Sequence, residues 1–158
     1  MTGLLRIRHI KLPVDDLARS VAWYRDLLGM ELAAEFCEDG QLRGAQLMHP
    51  SGFGIALRQR EYCVGKPDLT GFDVFAIEVD SVAELHALAE RADAMGSTQH
   101  GVSDNGEYGA FLNIIDPDGL MVRFLANNPI NHGRFVGVDS TRDGMSLYPT
   151  PRSTDEPG

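Results

Sequence analysis

The sequence predicts an α+β fold built from one unit used twice: a strand, a helix, then further strands. Three observations carry this. Residues 5–29, LRIRHIKLPVDDLARSVAWYRDLLG, and residues 72–96, FDVFAIEVDSVAELHALAERADAMG, share a pattern of alternating apolar residues, a capped amphipathic stretch and a glycine. Each is followed by a turn with proline and glycine, HPSG at 49–52 and DPDG at 116–119. The apolar period switches from two to about 3.6 at matching places in the two copies. A repeated unit of this kind builds a concave sheet around a pocket, so the residues lining the concavity decide function.

The first strand is expected at about 5–14, where Ile10, Leu12 and Val14 alternate with His9, Lys11 and Pro13 as in a half-buried strand. Asp15 or Asp16 can cap the helix that follows. Leu17, Val21, Tyr24 and Leu28 recur at helical spacing, and Gly29 stands where a helix C-terminus takes a left-handed residue. Three strands follow near 31–37, 42–48 and 54–60, with GFG at 52–54 marking a tight turn. In the second copy Phe75, Ile77 and Val79 alternate against Val74, Ala76 and Glu78. Ser81 and Glu84 form a capping box ahead of Val82, Leu85, Leu88, Ala92 and Met95, and Gly96 ends that helix. Strands near 99–102, 108–115 and 120–126 complete the copy. In DPDG the proline fixes φ at the second position and the glycine tolerates a positive φ at the end.

The organisation read from this is a first module at 1–62, a linker at 63–71, a second module at 72–126 and an extension at 127–158. The extension is rich in Asn, Pro, Gly and charge. It offers at most two short strands around TRDG at 141–144, and roughly the last eight residues are expected to be disordered. It is a pocket lid, a dimer strap or a plain edge extension.

The formal net charge of -9 and a pI near 4.9 exclude nucleic acid and anionic membrane as partners, since both require a basic surface. No run of some 18 apolar residues is present to span a bilayer. The N-terminus enters a strand pattern at once, without the apolar core and cleavage site of a leader, so a cytoplasmic protein is expected. Cys37 and Cys63 fit neither a CxxC redox motif nor zinc spacing and read as reduced thiols.

The motif HIKLPVDDLARSVAWYRDLLG places a Val five residues after a His and an Asp seven after it, followed by Ser-x-x-x-Tyr and Leu-Gly. Together with the late DPDG and its apolar strand, it resembles the vicinal-oxygen-chelate superfamily. That superfamily includes glyoxalase I, extradiol dioxygenases, fosfomycin-resistance enzymes and bleomycin-resistance proteins. The resemblance covers about residues 5–126. It implies two βαβββ modules forming a cupped, mostly antiparallel eight-stranded sheet with flanking helices, and a homodimer. Enzymes of the family place metal ligands at four cavity positions. His9 matches the first. The equivalent in the second module, counted back from Val79, is Val74. The late glutamate position, four after Gly119, is Arg123, and its counterpart after Gly52 is Ala56. One ligand of four is retained. Asp73 lies beside Val74, but a shift of one residue sends its side chain to the other face unless a bulge turns it inward. No cofactor is therefore predicted, with a divalent metal as the alternative.

By strand parity, His9, Lys11 and Pro13 face the cup with Gln46, Met48, Ala56 and Arg58. The second module adds Val74, Ala76, Glu78, Asn113, Ile115, Arg123 and Leu125. A cationic cup in an acidic protein points to a small anionic or oxygen-rich ligand, with Lys11, Gln46, Arg58, Glu78, Asn113 and Arg123 as its binding residues. His9 is the candidate catalytic acid or base. Plainer roles compete: His9 as a relic bonded to a backbone carbonyl, an Arg123–Glu78 ion pair, and Lys11 and Arg58 reaching out to solvent. Tyr24 reads as core and Trp23 as a possible subunit contact. His86 and His132 read as solvent-facing. The loop carrying His100, Asn105 and Glu107 reads as a pocket lip or an ordinary polar loop. Three functions follow. The first is a metal-free protein binding a small molecule. The second is a metal-dependent lyase, isomerase or dioxygenase of the same superfamily. The third is a metal-free enzyme using His9 with Arg123 as oxyanion stabiliser. The missing ligands favour the first, and whether the chain is an enzyme stays open.

Overall fold

A computed structural model of the chain describes residues 3–128 and 136–153. The expected solvent exposure of His132 and most of the expected terminal disorder lie outside the described residues. The first unit runs β1 (Ile10–Val14), α1 (Leu17–Leu28), β2 (Glu31–Glu38), β3 (Gln41–Met48) and β4 (Gly54–Gln59). The second runs β5 (Ala76–Glu78), α2 (Val82–Ala94), β6 (Ser103–Asp104), β7 (Ala110–Ile115) and β8 (Met121–Ala126). β9 (Gly137–Thr141) and β10 (Gly144–Tyr148) form a hairpin around Arg142 and Asp143.

The eight strands of the units form two four-stranded sheets of the same order, β1-β4-β3-β2 and β5-β8-β7-β6. In each, the first strand lies parallel to the last, and the other neighbours are antiparallel. A parallel neighbour cannot be reached by a tight turn, so the helix and an antiparallel hairpin make the crossing. This is the α+β fold of paired βαβββ units with flanking helices. No helix among the described residues is long and apolar enough to cross a membrane.

Local chemistry sets the boundaries. The Asp16 carboxylate accepts from the Arg19 N–H at 3.0 Å and starts α1, and Gly29, at φ 66°, ends it. Ser81 caps α2 through the Glu84 N–H. Two expectations were too generous. β1 starts at Ile10 and not near residue 5, because its partner β4 begins at Gly54 and the ladder opens at Ile10–Ile55. The strand expected at 99–102 is a single bridge from Gln99 to Ile114, and the two-residue β6 follows Gly101, whose φ of 78° interrupts extended backbone.

α1 packs on β3 and β4, and α2 on β7 and β8. One apolar cluster joins the units. Leu12, Val14, Tyr24, Leu27, Leu47, Ile55 and Leu57 meet Leu85, Leu112, Ile114, Val122 and Phe124, none more than 2% exposed. Burying each such side chain is worth about 1.5–3 kcal/mol. α1 is also bonded to the second unit. Trp23 Nε1 donates to Ser97 Oγ at 2.8 Å, so this mostly buried residue joins the two units of one chain. Ser20 Oγ and the Asp15 N–H donate to Asp118, at 3.2 and 2.8 Å. Arg60 bridges Asp15 at 2.6 Å and Asp118 at 3.1 Å and also donates to the Pro67 carbonyl.

Asp116 is buried beside these groups. Its Oδ2 accepts from Tyr24 Oη at 2.8 Å, and its Oδ1 accepts from the N–H groups of Asp118 and Leu120, both at 2.9 Å. Burial pushes its carboxyl above the usual range, against the lowering effect of these donors. Burial and the neighbouring Asp116 push the Tyr24 phenol well above its usual range, so it stays a donor. A carboxyl raised in the folded state contributes stability that is full below the unfolded value near 3.8 and is lost as pH rises through the folded value. Tyr24→Phe removes a donor to the charged form, so its cost is largest where Asp116 is ionised. The expected loss is about 1–3 kcal/mol at neutral pH and distinctly less near pH 3. Denaturant unfolding at the two pH values checks this; equal losses would contradict it.

Candidate functional site

With the helices covering one face of each sheet, the other face is open. On the first sheet, register aligns two rows of side chains across all four strands. One row is Ala34, Gln46, Ala56 and Lys11, and the next is Phe36, Gly44, Arg58 and Pro13. Residues paired across a ladder point the same way, so both rows stand on the open face. The small residues Ala34, Gly44 and Ala56 lower the middle of the sheet between longer side chains. The result is a cavity of about 240 Å³ lined by His9, Lys11, Phe36, Gln46, Ala56 and Arg58, among others. Every residue lining it belongs to the first unit.

The cations in it differ. Arg58 Nη2 is paired with Glu38 Oε1 at 2.8 Å and donates to the Tyr62 carbonyl at 3.2 Å, while its guanidinium lies 5.1 Å from the centre of the Phe36 ring. Lys11 is exposed and makes no ion pair among the described residues. His9 Nδ1 is buried and has no hydrogen-bond partner, so the backbone carbonyl expected to occupy it is not there. A buried polar atom left unpaired costs about 1–3 kcal/mol, so this nitrogen is a local cost to the fold.

On the second sheet the equivalent rows are Asn113, Arg123 and Ala76, then Phe111, Leu125 and Glu78. Arg123 Nε donates to Asn113 Oδ1 at 3.0 Å, and Nη1 pairs with Asp73 Oδ2 at 2.8 Å. Parity had assigned the Asp73 side chain to the far face. It reaches Arg123 because residue 73 precedes the ladder, which begins at Ala76, and strand alternation does not bind it. Glu78 lines a separate groove of about 370 Å³ between the units, with Leu27, His49, Phe53, Arg91 and Phe124. The structure thus gathers His9, Lys11, Gln46 and Arg58 in one place and Asn113 with Arg123 in another. Parity reasoning passed over Phe36, Ala34 and Glu38 of β2. Their strand, ELAAEFCE, does not alternate, because register shifts fall between Leu32 and Ala34 and again between Phe36 and Cys37. Both cysteines are free thiols, and His86 is exposed.

The metal implied by the resemblance does not fit these residues. Of the four positions, His9 offers an imidazole, Ala56 and Val74 offer nothing, and Arg123 is a cation held by Asp73. Among the described residues no three His, Cys, Asp or Glu side chains are grouped to hold an ion. A divalent ion needs about three protein donors at a catalytic site and is repelled by a guanidinium.

Solved structures share the fold. An antibiotic-binding protein, TnmS3 from Streptomyces sp. CB03234, superposes with a TM-score of 0.65 at 17% identity, over 80% of this chain and 98% of that one. A glyoxalase/bleomycin resistance protein/dioxygenase domain from Frankia sp. EAN1pec gives 0.63 at 23% identity, over 78% and 93%. The fosfomycin resistance protein FosX from Listeria monocytogenes gives 0.62 at 19% identity, over 80% and 93%. None of the curated proteins matches the sequence. The family model for the glyoxalase/bleomycin resistance protein/dioxygenase superfamily matches residues 6–124, from the arm before β1 into the last strand of the second unit. The chain belongs to that superfamily.

Proposed function

We propose that this is a metal-free, cytoplasmic binding protein that holds a small anionic or oxygen-rich organic molecule in the trough of the first sheet. The observation that carries this reading is the combination found there: an unpaired Lys11, an orphaned His9 Nδ1 and an apolar floor of small residues in a cavity large enough for a ring system. Vacated chelating positions support the absence of a catalytic ion. TnmS3, which is described as an antibiotic-binding protein, gives a precedent on the same fold for binding a small molecule.

The working form in this reading is a homodimer. The open faces carry exposed Phe36 and Leu42 on the first sheet and exposed Phe72 and Val74 ahead of the second, apolar area of the kind that subunit contacts cover. A second copy would also bring Asn113 and Arg123 toward the trough, completing the cup.

A metal-free enzyme, with His9 moving a proton and Arg123 steadying an oxyanion, is the second reading, and the orphaned Nδ1 favours it. The engagement of Arg123 by Asp73 and Asn113 on the other sheet weighs against it.

Elemental analysis of the purified protein should find nickel, zinc, iron and manganese far below one ion per chain. A stoichiometric ion, lost together with ligand affinity on chelation, would overturn the reading. With 2-naphthoate as a probe, Lys11→Ala should weaken binding by about 1–3 kcal/mol, the scale of a charge-assisted hydrogen bond, whereas His9→Ala should leave most of it. Titration calorimetry measures both, and an unchanged Lys11→Ala variant would count against the cationic trough. Light scattering after size exclusion should give twice the 17.3 kDa chain mass. A monomer at micromolar concentration would remove the dimer from the reading.

A further inference from the structure

Residues 3–9 precede β1 and run as an arm outside the ladder, yet they are not remote from the trough. Gly54, at the start of β4, is the reason. A Cβ there would lie 3.0 Å from the Arg8 carbonyl oxygen, 3.3 Å from His9 Cβ and 2.8 Å from Met48 Sδ. A side chain there would push Met48 aside and move the arm by a few tenths of an ångström, so glycine lets the arm rest close against the sheet. The path brings Leu5, Arg6 and Arg8 beside Ala33, Ala34, Gln46 and Met48, around a second cavity of about 480 Å³. Ala34 and Gln46 line both this cavity and the trough, so the two are contiguous. Consecutive residues Ala33 and Ala34 line the same cleft because the register shift between Leu32 and Ala34 breaks strand alternation there.

Positive charge is gathered at this cleft. Arg6, Arg8 and Lys11 form no ion pair and no side-chain hydrogen bond among the described residues. Arg19, Arg25, Lys66 and Arg142 are also without an ion pair, but of these unpaired cations only Arg6, Arg8 and Lys11 line the two cavities that share Ala34 and Gln46. Acidic residues are abundant enough to neutralise them, and none is placed to do so. Glu35 also lines the trough, and its charge disfavours an anion on the β2 side. The unmatched positive charge therefore lies at two ends, Lys11 within the trough and Arg6 and Arg8 on the arm. In extended backbone Lys11 and Arg8 are roughly 10 Å apart. Ala34 and Gln46 line both cavities, and Ala56 lines the trough.

Resting on the reading of the trough as a binding site, we propose that the arm is the outer wall of one extended site. In it, Arg6 and Arg8 select an elongated dianion, a rigid and largely apolar molecule with an acidic group at each end. The forked guanidinium donors suit a carboxylate or a phosphate at the arm end, and the small-residue floor takes the apolar body.

Titration calorimetry with two probes, naphthalene-2,6-dicarboxylate and 2-naphthoate, tests this. The diacid should bind about tenfold tighter than the monoacid. The double variant Arg6→Ala with Arg8→Ala should bring the diacid to within about twofold of the monoacid and leave the monoacid unchanged. Both arginines are exposed and lie outside the ladders, so the fold does not depend on them. Arg25→Ala, which removes an exposed cation from α1, should leave the preference intact. If the double variant keeps the preference, or Arg25→Ala abolishes it equally, the arm is not a wall of the site, and the trough stands on its monoacid binding and Lys11 dependence. If neither acid binds, both readings fall.

Discussion

The carboxylate of Asp116 is 6% exposed at the junction of the two units, and it organises both sides of that junction. One oxygen gathers the N–H groups of Asp118 and Leu120 and so sets the turn between β7 and β8, while the other takes the Tyr24 hydroxyl from α1. A buried carboxylate with three donors is tolerable; with fewer it is a liability, because desolvation of the charge is then left uncompensated. The turn, the helix and the apolar cluster between them are thereby fixed together. Asp118 extends the same arrangement to solvent through Ser20, Asp15 and Arg60.

That arrangement decides where a site can be. α1 is bonded to the second unit through Trp23, Tyr24 and Ser20, and α2 reaches back through Arg91, whose Nη1 donates to the Leu27 carbonyl at 2.8 Å. The helix-bearing faces of both sheets are consumed by this junction. What remains is the opposite face of each sheet, where side chains are free to differ from those of relatives without disturbing the core. The trough of the first sheet is such a place: its floor is set by ladder register, and its chemistry by whichever residues happen to occupy two rows.

Much of the fold was legible from residue pattern, because helix caps, left-handed glycines and apolar alternation act over a few residues. Asp16, Ser81 and Gly29 mark helix ends for reasons contained in their own neighbourhood. Tyr24 could be recognised as core, but nothing within several residues of it announces a partner 92 positions away. DPDG could be read as a turn, whereas its two carboxylates proved to be the bonds that tie the units together. The lining of the candidate trough was legible where strands alternate, at His9, Lys11, Gln46 and Arg58. It was illegible on β2, where two register shifts break the period that parity reasoning requires. Asp73 was misplaced for the same reason, since the rule was extended beyond the end of the ladder.

The fate of the chelating positions can then be read as a change in charge logic. A metal site concentrates anionic or neutral donors around a cation. Here Arg123 stands where the family resemblance implies a glutamate, and Asp73, outside the implied chelating set, supplies the opposite charge at 2.8 Å. The substitution is therefore compensated on its own sheet and does not leave a bare guanidinium facing the cup. On the first sheet Arg58 is likewise held by Glu38, but Lys11 has no such acid. Cations that are balanced within the protein shape and rigidify a surface; a cation that is not balanced must be satisfied by water or by something that arrives. Lys11 shares its unpaired state with other cations of the chain, but it stands inside the trough, and under the proposed reading a ligand's negative charge is what balances it there.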